Sequence, residues 1–467
     1  MSGVQRVGAA VLAGLLAAPV LGADYYVDRS HPGASDFNAG SEAAPWLSIG
    51  HAATVLQPGD TAWVKAGTYP EHVVPTVSGS AGAEIALRAY PGHTVTIDGS
   101  SIALAAYSAL VELQGLAHFR VSGFRVVNAG PAGTSAGIGV GNSAHIVIEG
   151  NQTSDTAASG ILVWSSSDVV VSGNEVTRAM TAGSASENEC ITVGRTAGFE
   201  IVGNHVHDSP PPGVDAARGE GIDAKDGSSN GSVHHNHVHH VPSVGIYVDA
   251  WTEHTFAIDV YNNRVHDVDG DGIVLASEQG GLLKQVRVFN NLVHDNRWLG
   301  ISLSDCCIAQ RPLDDIQIVN NTLFRNGWDA PPDRWGGGLA HANDQATGVV
   351  VRNNIVAGNL SFQIALEGPA AAGVTVDHNL VDGFRGYPGE IRGTDYQEGD
   401  PGFANAAGLD FHLTEGSIAI DAGSALLAPA FDFDNGPRPL GSAPDIGAFE
   451  ATTVLFADGF EARDAPP

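Results

Sequence analysis

An all-β chain wound as a parallel β-helix solenoid, with an N-terminal helical cap and a small C-terminal capping segment, is predicted by three features of the 467-residue sequence. First, one asparagine per unit recurs at Asn151, Asn174, Asn204, Asn236, Asn263, Asn291, Asn321, Asn354 and Asn379, with spacings of 23 to 33 residues. Second, each unit runs from an alternating strand through the asparagine and a short Val-His-Asp-like run to a variable loop, then a Gly-Ile strand. Third, 59 glycines against two methionines and a 16% charged fraction suit many short strands and tight turns, and suit long helices poorly. A leucine-rich repeat of this period needs leucines at fixed offsets, which are lacking. A parallel β-helix needs inward β-branched residues and a turn residue tolerant of left-handed backbone, which are present. Roughly a dozen coils fit between Thr61 and Val381.

Residues 1–23 carry Arg6, an apolar run from Val7 to Leu21 and small residues at Gly22 and Ala23, the pattern of a signal peptide. Export to the periplasm or the extracellular space is therefore expected, without membrane insertion, because no later apolar stretch reaches spanning length. Residues 24–60 are expected to form the N-terminal cap, including a short helix over Ser48 to Leu56 with Ser48 as N-cap and Ile49, Ala52, Ala53 and Leu56 on one face. The repeat occupies 61–382. Residues 383–450, with Phe411-His-Leu413, Ser417 to Gly423 and Asp445 to Glu450, are expected to cap the other end, and 451–467 to form an acidic tail. A monomer is expected.

Fifty-two acidic against 22 basic residues give a formal charge of −30, which repels nucleic acid and anionic membranes. The same charge repels an anionic polysaccharide unless a cation or a local Lys/Arg cluster offsets it. Cys190, Cys306 and Cys307 are too few for a disulfide framework, and buried or free thiols are expected.

Two strand-like runs, Gly-Ile-Asp-Ala-Lys225 and Gly-Ile-Tyr-Val-Asp249, lie 24 residues apart. With a side-chain period of two, Ile222 and Ala224 point inward while Asp223 and Lys225 point outward, and Tyr247 and Asp249 follow on the next coil. Stacking the coils on Ile161, Ile191, Ile222, Ile246, Ile273, Ile301, Leu339 and Ile364 brings Asp223 beside Tyr247 and Lys225 beside Asp249. Polar groups concentrate on these two coils and fade in both directions, which marks a site; a structural ion pair around Lys225 is the plainer reading. Carboxylates at Asp223, Asp226 and Asp249 favour the charged lysine, the wrong form for a base unless a cation occupies them.

The Asn-x-Val-His-Asp repeat and the opening YYVDRSHPGASDFNAGSEAAPWLSIGHAATVLQPGDTAWVKAGTYPE resemble the pectate-lyase-like right-handed parallel β-helix proteins, over roughly residues 24 to 382. The runs Asn188-Glu-Cys-Ile-Thr-Val-Gly194 and Glu220-Gly-Ile-Asp-Ala-Lys225 are similar to the polysaccharide lyases that include chondroitinase B and alginate lyases. The resemblance implies that Glu220 binds calcium and that Lys225, five residues on, is the base. Arg218 stands where that family has a second acidic ligand, and Asp249 where it has an arginine. On this reading calcium is held by some of Glu189, Glu220, Asp223 and Asp249, the substrate is a uronate-containing polysaccharide, Lys225 removes the proton and Tyr247 protonates the leaving oxygen. A glycoside hydrolase would instead use two of these carboxylates, with Glu278 a further candidate. A glycan-binding module without catalysis is the third class.

Arg218 and Arg297 are candidate contacts to an anionic sugar, and Trp251, Trp298 and Trp335 are candidate sugar platforms or loop-packing residues. His207, His239, His266 and His294 lie three residues after a ladder asparagine, and His205 and His237 one after. Such a row serves stacking or zinc binding.

Overall fold

The computed structural model describes residues 22–183, 189–211, 213–214, 219–328 and 336–451. Thr61–Val64, Ile85–Ala89 and their successors form a 13-stranded sheet, the short strands after each turn form a second of 13 strands, and the Gly-Ile strands form a third of 10. All pairing within these three sheets is parallel and joins each coil to the next. The stacking register expected from the sequence is the register observed, from Ile161 through Ile191, Ile222, Ile246, Ile273, Ile301 and Leu339 to Ile364. All eight side chains are fully buried. Each contributes on the order of 1.5–3 kcal/mol of burial, which only stacked coils can supply.

The asparagine ladder is continuous. From Asn151 to Asn379 each side-chain amide is buried, and each donates through Nδ2 to the next Oδ1 at 2.9–3.1 Å. The left-handed turn residue is the one before it: Gly150, Gly173, Gly203, His235, Asn262, Asn290, Asn320, Asn353 and His378 all have positive φ. Turning the chain and tying the coils are thus tasks of adjacent residues. Asn263 illustrates the cost of a break. It donates to Val233 O and Asn291 Oδ1 and accepts from both nitrogens of Asn236, at 2.9–3.0 Å. Asn263→Ala strands buried donors and acceptors on two coils, and a loss of about 3 kcal/mol is expected in chemical denaturation.

Both ends differ from expectation. Asp24–Val27 pairs with Thr61–Val64 and is already the first strand of the first sheet, so the sheet begins inside the segment expected to be cap only. The helix forms over Ile49–Val55, with the Ser48 side chain accepting from His51 N and with Ile49, Ala52 and Ala53 buried. At the other end, Ala365 bridges Glu390, and Gln397–Glu398 joins the second sheet, so residues up to 398 close the last coil. The remainder folds back along the flank instead of sitting on the end. Asn262 donates to Phe433 O, Asn290 to Phe431 O, Asn320 to Asp445 O and Asn353 to Ser424 O. The left-handed turn residues thereby fasten the C-terminal segment across four coils. Residues 1–21 of the expected signal peptide (1–23) and residues 452–467 of the expected acidic tail (451–467) lie outside the described residues.

Candidate active site

Ile222–Lys225 and Val244–Ala250 are neighbouring strands of the third sheet, with Asp223 opposite Tyr247 and Ala224 opposite Val248. The outward row through Thr192, Asp223, Tyr247, Val274 and Ser302 is buried, as are Asp249 and Ala276. This face is covered, and charge on it is desolvated.

The Lys225 ammonium is the hub. Its Nζ donates to Glu189 Oε1 at 2.7 Å and stands 2.9 Å from Asp223 Oδ2. Glu189 also accepts from the Thr192 hydroxyl at 2.7 Å, and Thr192 is 3.0 Å from Ser159 Oγ. Glu189 and Glu220 are aligned on adjacent coils, each two residues before the paired Ile191 and Ile222, and Cys190 N donates to Glu220 O. Tyr247 Oη donates to Glu278 Oε1 at 2.5 Å. Asp226, expected beside Lys225, is engaged elsewhere: it pairs with Arg195 at 2.9 Å and accepts from the Thr252 and Glu253 amides. No directed hydrogen bond reaches either oxygen of Asp223 or Asp249 Oδ1, although all three are buried. The Lys225 charge compensates Asp223 Oδ2, whereas Asp223 Oδ1 and Asp249 Oδ1 are left without a donor, which is costly for an ionised carboxylate.

Electrostatics follow from the burial. Desolvation, with Asp249 and Glu189 adding to it against Lys225, pushes the Asp223 carboxyl well above the usual carboxylate range. Desolvation and Glu278 do the same to Asp249. Glu220 is pushed up to about 7 by burial first and Glu189 second, with Lys225 opposing. For Lys225, burial disfavours the charge, but Asp223, Glu189 and Asp249 together outweigh it and hold the ammonium protonated well above its ordinary range. Burial and Glu278 raise Tyr247 well above an ordinary phenol. Asp271, which the sequence did not single out, is pushed by burial to about 7 while accepting from Leu299 N at 3.1 Å. Its position as the first residue of the strand Asp271–Ser277 was the available signal.

Calcium requires several oxygens converging on one point. Among the described residues, the acidic, histidine and cysteine side chains that gather in threes are His205, His237 and His239; Glu175, His205 and His207; and Glu278, Cys306 and Cys307. Glu189, Glu220, Asp223 and Asp249 form no such set, and the cation standing among them is Lys225. As placed, these carboxylates do not fit a calcium ion.

The other candidates are scattered. Arg218 and Trp335 lie outside the described residues. Arg297 faces Asp269 at 3.5 Å. Trp251 and Trp298 are exposed, 41% and 46%, and sit at opposite ends of interior strands, one just after Ala250 and the other just before Leu299. Cys190 is a buried free thiol, but Cys306 and Cys307 are paired as a vicinal disulfide rather than left as thiols. Cys306 packs on the small apolar cluster of Tyr247, Val274 and Ala276. On the N-terminal side, the same sheet face opens into a cleft of 410 Å³ lined by Tyr107, Glu112, Gln114, Gly139, Leu162 and Trp164. Its floor depends on small residues: a Cβ on Gly139 would come within 2.7 Å of Ala109 Cβ.

The histidine row stands on the second sheet. His205 stacks on His237, and His207, His239, His266 and His294 stack in turn, with ring centroids 4.9–5.0 Å apart. Burial and the neighbouring imidazoles lower His237 to about 4 and His239 to about 3.

Comparison with known proteins gives four findings. A family model described as right handed beta helix region matches residues 76–224 and 191–323. An uncharacterized protein, YwoF of Bacillus subtilis (strain 168), is 28% identical over 433 residues, 83% of this chain and 91% of its own length. Pectate lyase PEL9 of Emericella nidulans is 42% identical over 85 residues, 18% of this chain and 20% of that protein. Among solved structures, the complex of XylC with xylose superposes with a TM-score of 0.58 at 14% identity, covering 92% of this chain and 99% of that one.

Proposed function

The chain belongs to the right-handed β-helix family, and on that footing we propose that it is an exported enzyme that cleaves glycosidic bonds by hydrolysis. Glu220 is the general acid, and Glu189 is the carboxylate that faces it. The supporting observation is the pair itself. Glu189 is bonded to the Lys225 ammonium and the Thr192 hydroxyl, while Glu220 on the adjacent coil is pushed up to about 7. Two carboxyl groups whose surroundings differ in this way take the acid and the carboxylate roles.

In the reaction, the Glu220 carboxyl gives its proton to the glycosidic oxygen as the bond to the anomeric carbon breaks. Glu189 attacks that carbon, and Glu220, now ionised, takes a proton from the water that releases the sugar. Adjacent coils are about 4.8 Å apart at the backbone, and carboxyl groups about 5 Å apart go with double displacement whereas wider ones go with inversion, so the anomeric configuration of the first product, read by proton NMR, tests Glu189 as the nucleophile. The charge at the site favours a neutral glycan, because the one nearby ammonium is already matched to Glu189 and Asp223.

β-Elimination on a uronate is the second reading, favoured by the segment shared with pectate lyase PEL9. It would need Lys225 to lose its proton, against the pull of Asp223, Glu189 and Asp249. One assay separates the two. Neutral glycans and uronate polymers are incubated with and without EDTA, and both new reducing ends and unsaturated-uronate absorbance are read. Reducing ends without absorbance, unchanged by EDTA, are expected. A rise in absorbance that EDTA abolishes would replace hydrolysis with calcium-assisted elimination. Because the working form of Glu220 is protonated, kcat/KM should fall about tenfold per pH unit above its pKa near 7.

A further inference from the structure

The motif His234-His-Asn-His-Val-His-His240 is left over by the glycan reading. In the strands His205–His207 and His237–His239, alternation puts both histidines of each strand on the outer face, and parallel register stacks one pair on the other. Six imidazoles on four consecutive coils make one continuous surface, of which His205, His237 and His239 each offer a ring nitrogen, the three lying within 4.8 Å of one another. All three rings are only partly buried, so an ion from solvent can reach them.

We propose that His205, His237 and His239 form a binding site for a borderline divalent transition-metal ion, with nickel(II) and copper(II) preferred. The geometry is nearly set. His205 Nε2 and His239 Nε2 face each other at 2.9 Å. With metal–nitrogen bonds of about 2.05 Å, that separation corresponds to a bond angle of about 90°, which suits square-planar or octahedral ions better than tetrahedral zinc. His237 completes the set by rotating about its Cβ–Cγ bond, a broad and inexpensive torsion. In doing so it gives up its 2.7 Å contact with His266 Nε2. Glu175, which forms a second close group with His205 and His207, supplies carboxylate charge one coil away. Neutral imidazoles sharing N–H···N bonds account for the same close pairs without metal, so the two accounts differ in what added metal does.

The test uses the untagged full chain, stripped with chelator and titrated with NiCl2 by calorimetry, followed by EPR with one equivalent of copper(II). One strong equivalent of Ni2+ is expected, together with copper coupling to three nitrogens. His205→Gln, His237→Gln and His239→Gln should each weaken Ni2+ binding at least tenfold. His118→Gln, in the separate stacked pair with His145, should leave it unchanged. Thermal unfolding of each variant checks the fold, and if any one is destabilised the other two decide. Absence of a saturable equivalent below 100 µM added Ni2+ (about twice the protein used), or retention of it in the triple variant, overturns the proposal. Because the readout is binding, failure of the hydrolase reading leaves this result untouched.

Discussion

Glu220→Gln should lower kcat on the native glycan about 1,000-fold while leaving KM nearly unchanged and the protein at least as stable. The loss follows from removing the proton that the leaving oxygen needs. An aryl glycoside with a good leaving group, which needs little protonation, should lose far less activity, and the alkaline limb near pH 7 should vanish. The stability follows from linkage. Burial and Glu189 raise the folded-state pKa of Glu220 to about 7, so between its ordinary value of 4.5 and pH 7 the folded state grows progressively less favoured. Glutamine carries no such penalty, and any gain in midpoint should therefore appear above pH 5 and level off beyond 7. A variant within fivefold of wild type on the native glycan would remove Glu220 from the mechanism.

The second large effect is on stability. Lys225→Met should cost about 3 kcal/mol at pH 8, because it leaves Glu189 and Asp223 without their cation beneath a covered face. The lysine side chain is only 21% exposed and those of its partners 6% and 0%, so water compensates only weakly for its loss. Asp223 and Asp249 already have raised folded-state values. For such acids the unfavourable contribution is absent below the unfolded pKa and grows as pH rises toward the folded one. The deficit of Lys225→Met should therefore be smaller at pH 5 than at pH 8, because the raised values of Asp223 and Asp249 favour their neutral forms as pH falls. Adding Asp223→Asn should restore part of the loss at pH 8, a coupling of the kind expected within one network. Chemical denaturation at the two pH values reads this directly, and equal losses at both would show that the carboxylates are not what Lys225 holds. Lys225→Ala is thus a poor probe of catalysis, since activity and stability fall together.

Much of the fold was legible because a solenoid repeats one local rule. The Gly-Ile strands, the inward isoleucines and the asparagine row each recur at the coil period, so Ile222 facing Ile246 and Asn236 bonding Asn263 follow from alignment of the chain with itself. The Ser48 cap was equally local. The fold-back of residues beyond 398 was not, because its contacts with Asn262, Asn290, Asn320 and Asn353 join positions 71 to 171 residues apart that share no period.

At the site, sequence periodicity alone determined which side chains share the outer face: Thr192, Asp223, Lys225, Tyr247 and Asp249 are there because a strand alternates. Only the tertiary structure decided what they do to one another. It showed that the face is covered, that Lys225 turns to Glu189 and Asp223, that Asp226 goes to Arg195, and that Glu278 goes to Tyr247. The physical reason is that alternation sets direction along a strand, whereas charge state depends on solvent exclusion and on distances of a few ångströms between coils. Those quantities are set by loops that vary from one repeat to the next.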